Sequence, residues 1–139
     1  MTVDPSGTVQ IENEEDIVAA RQAVRAIAVA VGFGATDVTR IVTAASELAR
    51  NIFQYAGKGA MEWRRLEQNG RHGLELKFVD QGPGIADITL AMEQGYSSGR
   101  GLGLGLPGAR RLMEEMDIQS ECGKGTTIVV RKWCNQGLA

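Results

Sequence analysis

Two polar residues in the stretch "SELARNIF", Glu47 and Asn51, are of types and at a spacing that could do chemistry. On a helix, residues four apart lie one above the other on the same face. An asparagine oxygen can bind Mg²⁺, and a glutamate one turn earlier can accept a proton from an attacking hydroxyl. Both could equally be solvated residues on the polar side of an amphipathic helix, so the pair alone decides nothing.

A second stretch, "DQGPGI", begins at Asp80 and directly follows a strand-like run. A tight turn that ends the strand would account for Gly82, Pro83 and Gly84, but it does not require Asp80. A carboxylate at a strand end can accept a hydrogen bond from an exocyclic amine such as that of adenine. Gly82 and Gly84 would then let the base lie against the backbone.

The third stretch, "GRGLGLGLPG", holds five glycines in residues 99–108 and is preceded by Ser97 and Ser98. One interpretation is a flexible loop between two helices. The other is a phosphate loop, because glycines before a helix let backbone N–H groups approach an anion at the helix N-terminus. With Ser98 and Arg100 close by, a triphosphate would suit such a surface, and both interpretations stay open on this stretch alone.

Two familiar phosphate-binding motifs do not fit the chain. None of its four lysines is followed by Ser or Thr, which excludes a Walker A loop. Gly103, Gly105 and Gly108 match G-x-G-x-x-G, but no strand precedes them and an antiparallel hairpin follows. A dinucleotide-binding βαβ unit requires the opposite context, so that interpretation is rejected.

Hydrophobic periodicity and turn residues predict the elements that position these residues. Asn13 should cap the first helix and "GFG" should end it, while Thr36 should cap the second helix and Gly57 close it. The order β-α-α-β-β-α-α-β-β predicts helices layered on one face of a sheet. The predicted strands are 8–12, 60–68, 73–80, 117–122 and 126–133, and the predicted helices are 14–31, 37–56, 87–94 and 105–116.

Composition sets further limits on the function. The 139 residues carry a net charge of −2, which gives no general attraction to nucleic acid or an anionic membrane. We expect a single domain over residues 1–139, with 1–7 as a poorly ordered tail, in the cytoplasm without a signal peptide or a membrane span. One histidine, His72 in the turn-like "NGRHG", and two cysteines are too few for a zinc site and unsuited to a Ser-His-Asp enzyme.

The order of the motifs along the chain resembles the GHKL (Bergerat-fold) ATP-binding superfamily, which includes gyrase and the histidine kinases. That resemblance rests on Glu47 and Asn51, then Asp80 with Gly82 and Gly84, then the glycine-rich stretch, then Gly125 and Thr126. It implies an α+β two-layer sandwich whose mixed, mostly antiparallel sheet carries helices on one face. It also implies ATP and Mg²⁺ as cofactors.

Within that superfamily, the length and the text "SELARNI", "DQGPGI" and "GLGLGLPGARRLMEE" are similar to the bacterial switch-protein and anti-sigma-factor serine/threonine kinases. This resemblance implies Glu47 as the catalytic base, Asn51 as the Mg²⁺ ligand and Asp80 as the residue that reads adenine. The remaining ATP-binding residues that it implies are Gly82, Gly84, Ser98, Arg100, Gly101, Leu102, Gly103, Leu104, Gly105 and Thr126.

The same resemblance implies the partners of such a kinase. Its substrate would be a STAS-domain antagonist protein, and its later partner would be a downstream phosphatase or another output protein. A sigma factor is a further candidate partner. The alternative is a non-catalytic nucleotide-binding module that sequesters a sigma factor or a switch protein.

Overall fold

The computed structural model describes residues 6–82, 106–121 and 123–134. The predicted helix 87–94 therefore lies outside the described residues. Strand β1 begins at Ser6, two residues earlier than predicted. The strands are β1 (Ser6–Ile11), β2 (Gly59–Gln68), β3 (Arg71–Asp80), β4 (Glu115–Glu121) and β5 (Gly125–Trp133), and the helices are α1 (Glu14–Val31), α2 (Ala35–Tyr55) and α3 (Leu106–Leu112).

The strands form one sheet in the order β1-β2-β3-β5-β4. Every pairing in the described part of the chain is antiparallel. Strand β3 lies in the middle, and its last residue, Asp80, pairs with Gly59 on β2 and with Thr126 on β5. The register thus brings two of the predicted site residues, Asp80 and Thr126, side by side.

One face of this sheet carries the core. Side chains alternate along each strand, and the inward-facing members of β2, β3 and β5, such as Met61, Leu76, Phe78 and Val130, are fully or almost fully buried. Helices α1 and α2 pack over that face. The predicted α+β two-layer sandwich with helices on one face is confirmed.

The observed ends of α1 and α2 agree only in part with the predicted caps. Asn13 caps α1, since its Oδ1 accepts a hydrogen bond from the backbone N–H of Asp16 at 2.9 Å, and α1 ends at Gly32 with φ +114°. The prediction that Thr36 caps α2 is wrong. The N-cap of α2 is Gly34, whose carbonyl accepts the backbone N–H of Val38 at 2.9 Å, and Thr36 lies within the first turn.

Two other predicted boundaries shift. The hairpin between β2 and β3 turns on Asn69 and Gly70 alone, with φ +54° and +79°, values typical of a two-residue type I′ turn. His72 therefore lies in β3 rather than in the turn. Helix α3 ends at Leu112 rather than near residue 116, because Glu115 already pairs with Arg131 in the sheet.

Across the described residues, no helix is long and apolar enough to cross a membrane.

Candidate functional site

Asp80 stands at the C-terminal end of β3, on the face of the sheet that carries the helices. Its Oδ1 accepts a hydrogen bond from the backbone N–H of Gly82 at 2.9 Å, which fixes the carboxylate against the turn that follows the strand. Among the described residues, the other oxygen, Oδ2, has no hydrogen-bond partner. The half-buried carboxylate is therefore held in place through Oδ1, while Oδ2 can accept a further hydrogen bond.

Close backbone packing surrounds Asp80, and glycines make it feasible. Gly125, at φ +96°, lies so near the backbone of Asp80 that an added Cβ would collide with the carbonyl oxygen of Asp80. A Cβ on Gly82 would come within 2.6 Å of the Cβ of Ala56, the residue that follows α2. Side chains larger than hydrogen at these positions would displace the carboxylate or the end of α2.

Thr126 lies beside Asp80 and is 8% exposed. Its Oγ1 is 2.9 Å from the Oγ of Ser120 on β4, which also donates a hydrogen bond to the carbonyl of Gly125 at 3.1 Å. Sequence reasoning missed Ser120, because only the strand register shows that it faces Thr126. Together with Asp80, both hydroxyls line a depression of about 280 Å³ at this end of the sheet.

Two lysines add positive charge around Asp80. Lys124, in the turn between β4 and β5, lines the same depression as Asp80 and Thr126. Lys58, just before β2, lines a second depression of about 360 Å³ that also includes Asp80. The same depressions also include acidic residues: Glu121, which is paired with Lys124 at 3.2 Å, in the first, and Glu12 and Glu62 in the second. Charges of both signs therefore surround Asp80.

Helix α2 contributes the two residues predicted to do chemistry, and both are half-buried. Arg50 donates a hydrogen bond from Nη1 to the Oε1 of Glu47 at 3.2 Å. The last turns of α2 reach the Asp80 end of the sheet, since a Cβ on Gly59 would come within 2.8 Å of Ile52 and 3.2 Å of the Cβ of Asp80. Asn51, which precedes Ile52, is thus brought to the same end of the molecule, and Glu47 follows one turn back.

The other predicted cofactor-binding residues, Gly84, Ser98, Arg100, Gly101, Leu102, Gly103, Leu104 and Gly105, lie outside the described residues. Helix α3 begins at Leu106, which is fully buried. Because α3 packs against α2, the C-terminal end of the glycine-rich stretch is attached next to the helix that carries Glu47 and Asn51.

The two-layer fold is that of an ATPase domain of the histidine kinase type. The histidine kinase-like ATPase domain family matches residues 11–132, and the chain belongs to that family. The sensor histidine kinase MprB from a mycobacterium has a similar structure, with a TM-score of 0.54 and 21% identity over 91% of this chain and 96% of the other. At that identity the likeness concerns the fold alone.

Curated relatives narrow the class further. The chain is 52% identical to the serine/threonine-protein kinase RsbT of Bacillus subtilis over 125 residues, which cover 90% of this chain and 94% of the relative. It is 32% identical to the anti-sigma F factor of Clostridium acetobutylicum over 101 residues, which cover 69% of this chain and 70% of the relative. The predicted enzyme class, a serine/threonine-protein kinase, is confirmed by the first similarity.

Proposed function

We propose that this kinase uses ATP and Mg²⁺ to phosphorylate a STAS-domain antagonist protein in a partner-switching pathway, and then activates a downstream output protein. The observation that carries the proposal is the carboxylate of Asp80, fixed through Oδ1 by Gly82 and with Oδ2 left to accept. The 52% identity to the kinase RsbT supports the same assignment.

The residues at the Asp80 end of the sheet fit a bound nucleotide. Asp80 would accept a hydrogen bond from the adenine amine at Oδ2, since Oδ1 is already bonded to Gly82. Thr126 would contribute mainly through its place beside Asp80, because its hydroxyl is bonded to Ser120.

Asn51 is the residue of α2 that would hold Mg²⁺, because an amide oxygen is a hard ligand suited to that ion. When bound, ATP and Mg²⁺ supply the transferable phosphoryl group and neutralise its charge. The glycine-rich stretch, with Gly84, Ser98 and Arg100, would complete the contacts to the nucleotide.

Glu47 would accept the proton of the substrate hydroxyl at Oε2, because its Oε1 is bonded to Arg50. The side chain of Glu47 is 43% exposed, which a base that serves a protein substrate requires. Arg50 orients the carboxylate, since it holds one oxygen at 3.2 Å.

The similarities to the kinase RsbT and to an anti-sigma F factor support partner-switching interactions for this chain. We propose a STAS-domain substrate and a downstream phosphatase or another output protein, with the whole chain, 1–139, acting as one cytoplasmic domain. The 32% identity to an anti-sigma F factor favours a second candidate function, which is sequestration of a sigma factor or switch protein without catalysis.

Phosphate transfer from labelled ATP to STAS-domain proteins of the same genome tests the proposal. We expect Glu47→Gln to lower the transfer rate by about 100-fold or more, the usual contribution of a general base, while ATP affinity stays within about threefold. Thr43→Ala, one turn earlier on the same face of α2, is the matched control and should transfer normally. Asn51→Ala should remove the Mg²⁺ dependence of ATP binding.

Two results would count against the proposal. If the wild type binds ATP with Mg²⁺ but transfers phosphate to none of those STAS-domain proteins, the sequestration function takes its place. If Asn51→Ala leaves the Mg²⁺ dependence of ATP binding unchanged, the metal assignment is wrong.

A further inference from the structure

Lys132 is a buried lysine on β5 whose position the proposed chemistry does not explain. Its side chain is 9% exposed and faces the helices, on the same side of the strand as the apolar Val130 and Ile128. Lysines are almost never fully buried unless they are paired. An apolar residue would ordinarily occupy this inward position of an alternating strand. The contacts of the ammonium must therefore account for the burial of a charged group.

The ammonium of Lys132 joins three elements of the fold. Nζ donates a hydrogen bond to the carbonyl oxygen of Leu112, the last residue of α3, at 3.0 Å. It also lies 3.9 Å from the Oδ1 of Asp37 in the first turn of α2. One side chain thus connects β5 to the C-terminal end of α3 and to the N-terminal end of α2.

The bond to Leu112 is favourable because a helix ends in unpaired carbonyls and a partial negative charge. Helix α3 has only two turns, and its own hydrogen bonds leave the carbonyl of Leu112 available. A backbone bond from Glu114 to the carbonyl of Arg131, at 3.0 Å, follows directly and attaches the chain after α3 to the same strand. The buried ammonium therefore fixes α3 at its C-terminal end, while Leu106 and Ala109 pack its buried face.

We infer that Lys132 is a positioning residue for the nucleotide site: by joining β5, α3 and α2, it sets where α3, which begins directly after residue 105 of the glycine-rich stretch, lies relative to the helix that carries Glu47 and Asn51. This inference rests on the proposed function, in which that stretch binds the phosphates of ATP. Lys132 itself contacts no predicted site residue among those described. Its effect on binding is exerted through α3.

The test compares variants of the full chain by ATP affinity in the presence of Mg²⁺ and by amide hydrogen exchange of α3. Lys132→Met keeps the length of the side chain but removes the charge and the donor. We expect its ATP dissociation constant to rise about tenfold, which corresponds to about 1.4 kcal/mol. Exchange at residues 107–113 should quicken, while exchange in α1 should not change.

The control for Lys132→Met is Val24→Ala, a cavity variant in the buried face of α1 that lowers the thermal midpoint while leaving the bond between Lys132 and α3 in place. A milder pair covers the case in which Lys132→Met does not fold. Asp37→Asn weakens the contact to Lys132, whereas Arg40→Met removes only the surface pair between Arg40 and Asp37, whose atoms are 3.2 Å apart. We expect a higher ATP dissociation constant for Asp37→Asn than for Arg40→Met.

Two results would overturn the inference. One is an ATP affinity of Lys132→Met equal to that of Val24→Ala. The other is unchanged exchange in α3. Either outcome would leave the proposed function standing, because that function depends on transfer by the wild type. A wild-type protein that binds no nucleotide would instead refute the proposed function, together with every inference that rests on it.

Discussion

Strand β3 carries two carboxylates in contrasting surroundings, Glu75 on the open face of the sheet and Asp80 at the strand's end on the opposite face. The Oε2 of Glu75 accepts hydrogen bonds from Arg131 at 2.8 Å and from Arg64 at 3.1 Å. Within residues 6–82, 106–121 and 123–134, the Oδ1 of Asp80 accepts only the backbone N–H of Gly82. One carboxylate is engaged by two guanidinium groups, and the other retains an acceptor.

The surroundings of Glu75 extend this contrast. Arg131 also reaches Glu115 and Asp117, each at 3.4 Å. The hydrogen bond that Arg131 donates to Glu75 raises the pKa of Arg131, so the guanidinium stays charged. Around Asp80 there are glycines and hydroxyls, and the lysine in the adjoining turn, Lys124, forms only an exposed pair with Glu121 at 3.2 Å. A network of ion pairs thus stabilises the open face of the sheet, whereas close backbone packing supports the Asp80 end and leaves polar atoms available for a ligand.

The largest expected effect is on the backbone beneath Asp80. Gly125→Ala should lower the free energy of unfolding by about 3 kcal/mol or more, because the new Cβ would collide with the carbonyl of Asp80 at a positive φ. Gly123→Ala is the control, since Gly123 also has a positive φ, +78°, but open space around it, and should cost only about 1 kcal/mol. Equal losses in urea denaturation would contradict the role given to close packing.

The next largest effect is on ATP affinity, and it distinguishes Asp80 from Glu75. Asp80→Asn should weaken ATP binding about 30-fold, or about 2 kcal/mol, because a charged acceptor is lost. Its amide oxygen can still accept from Gly82, so the thermal midpoint should stay close to that of the wild type. A fluorescent ATP analogue displaced by ATP measures the affinity, and an affinity equal to wild type would remove Asp80 from the site.

Glu75→Gln should lower the stability of the fold but not its affinity for ATP. We expect the free energy of unfolding to fall by about 1–2 kcal/mol, because Arg131 and Arg64 lose the charge of their shared acceptor on a face that is only partly solvated. ATP affinity should be unchanged. If this variant weakened ATP binding as much as Asp80→Asn, the distinction between a structural and a binding carboxylate would fail.

The sequence predicted much of this molecule because its signals are local. Short sequence patterns predict the caps at Asn13 and Gly32, the hairpins and the two-layer fold. Asp80 stands out as a site residue because a tight turn does not need a carboxylate. What the sequence could not predict depends on register or packing. Ser120 faces Thr126 only once β4 and β5 are aligned, and Gly34 caps α2 through a carbonyl that any residue would carry. The burial of Lys132 could not be predicted from the sequence, because a lysine in an alternating strand is ordinarily exposed.

The smallest effect concerns the hydroxyl pair beside Asp80. Thr126→Val keeps the shape of the side chain but removes the Oγ1 that lies 2.9 Å from Ser120, so the free energy of unfolding should fall by about 1 kcal/mol. ATP affinity should fall by no more than about threefold, which corresponds to about 0.7 kcal/mol, since the hydroxyl is already engaged by Ser120. Thr126→Ser retains the hydroxyl and should restore most of the stability. A loss of ATP affinity as large as that of Asp80→Asn would mean that the Thr126 hydroxyl leaves Ser120 and bonds to the nucleotide. Thr126 would then be a binding residue rather than a support for Asp80.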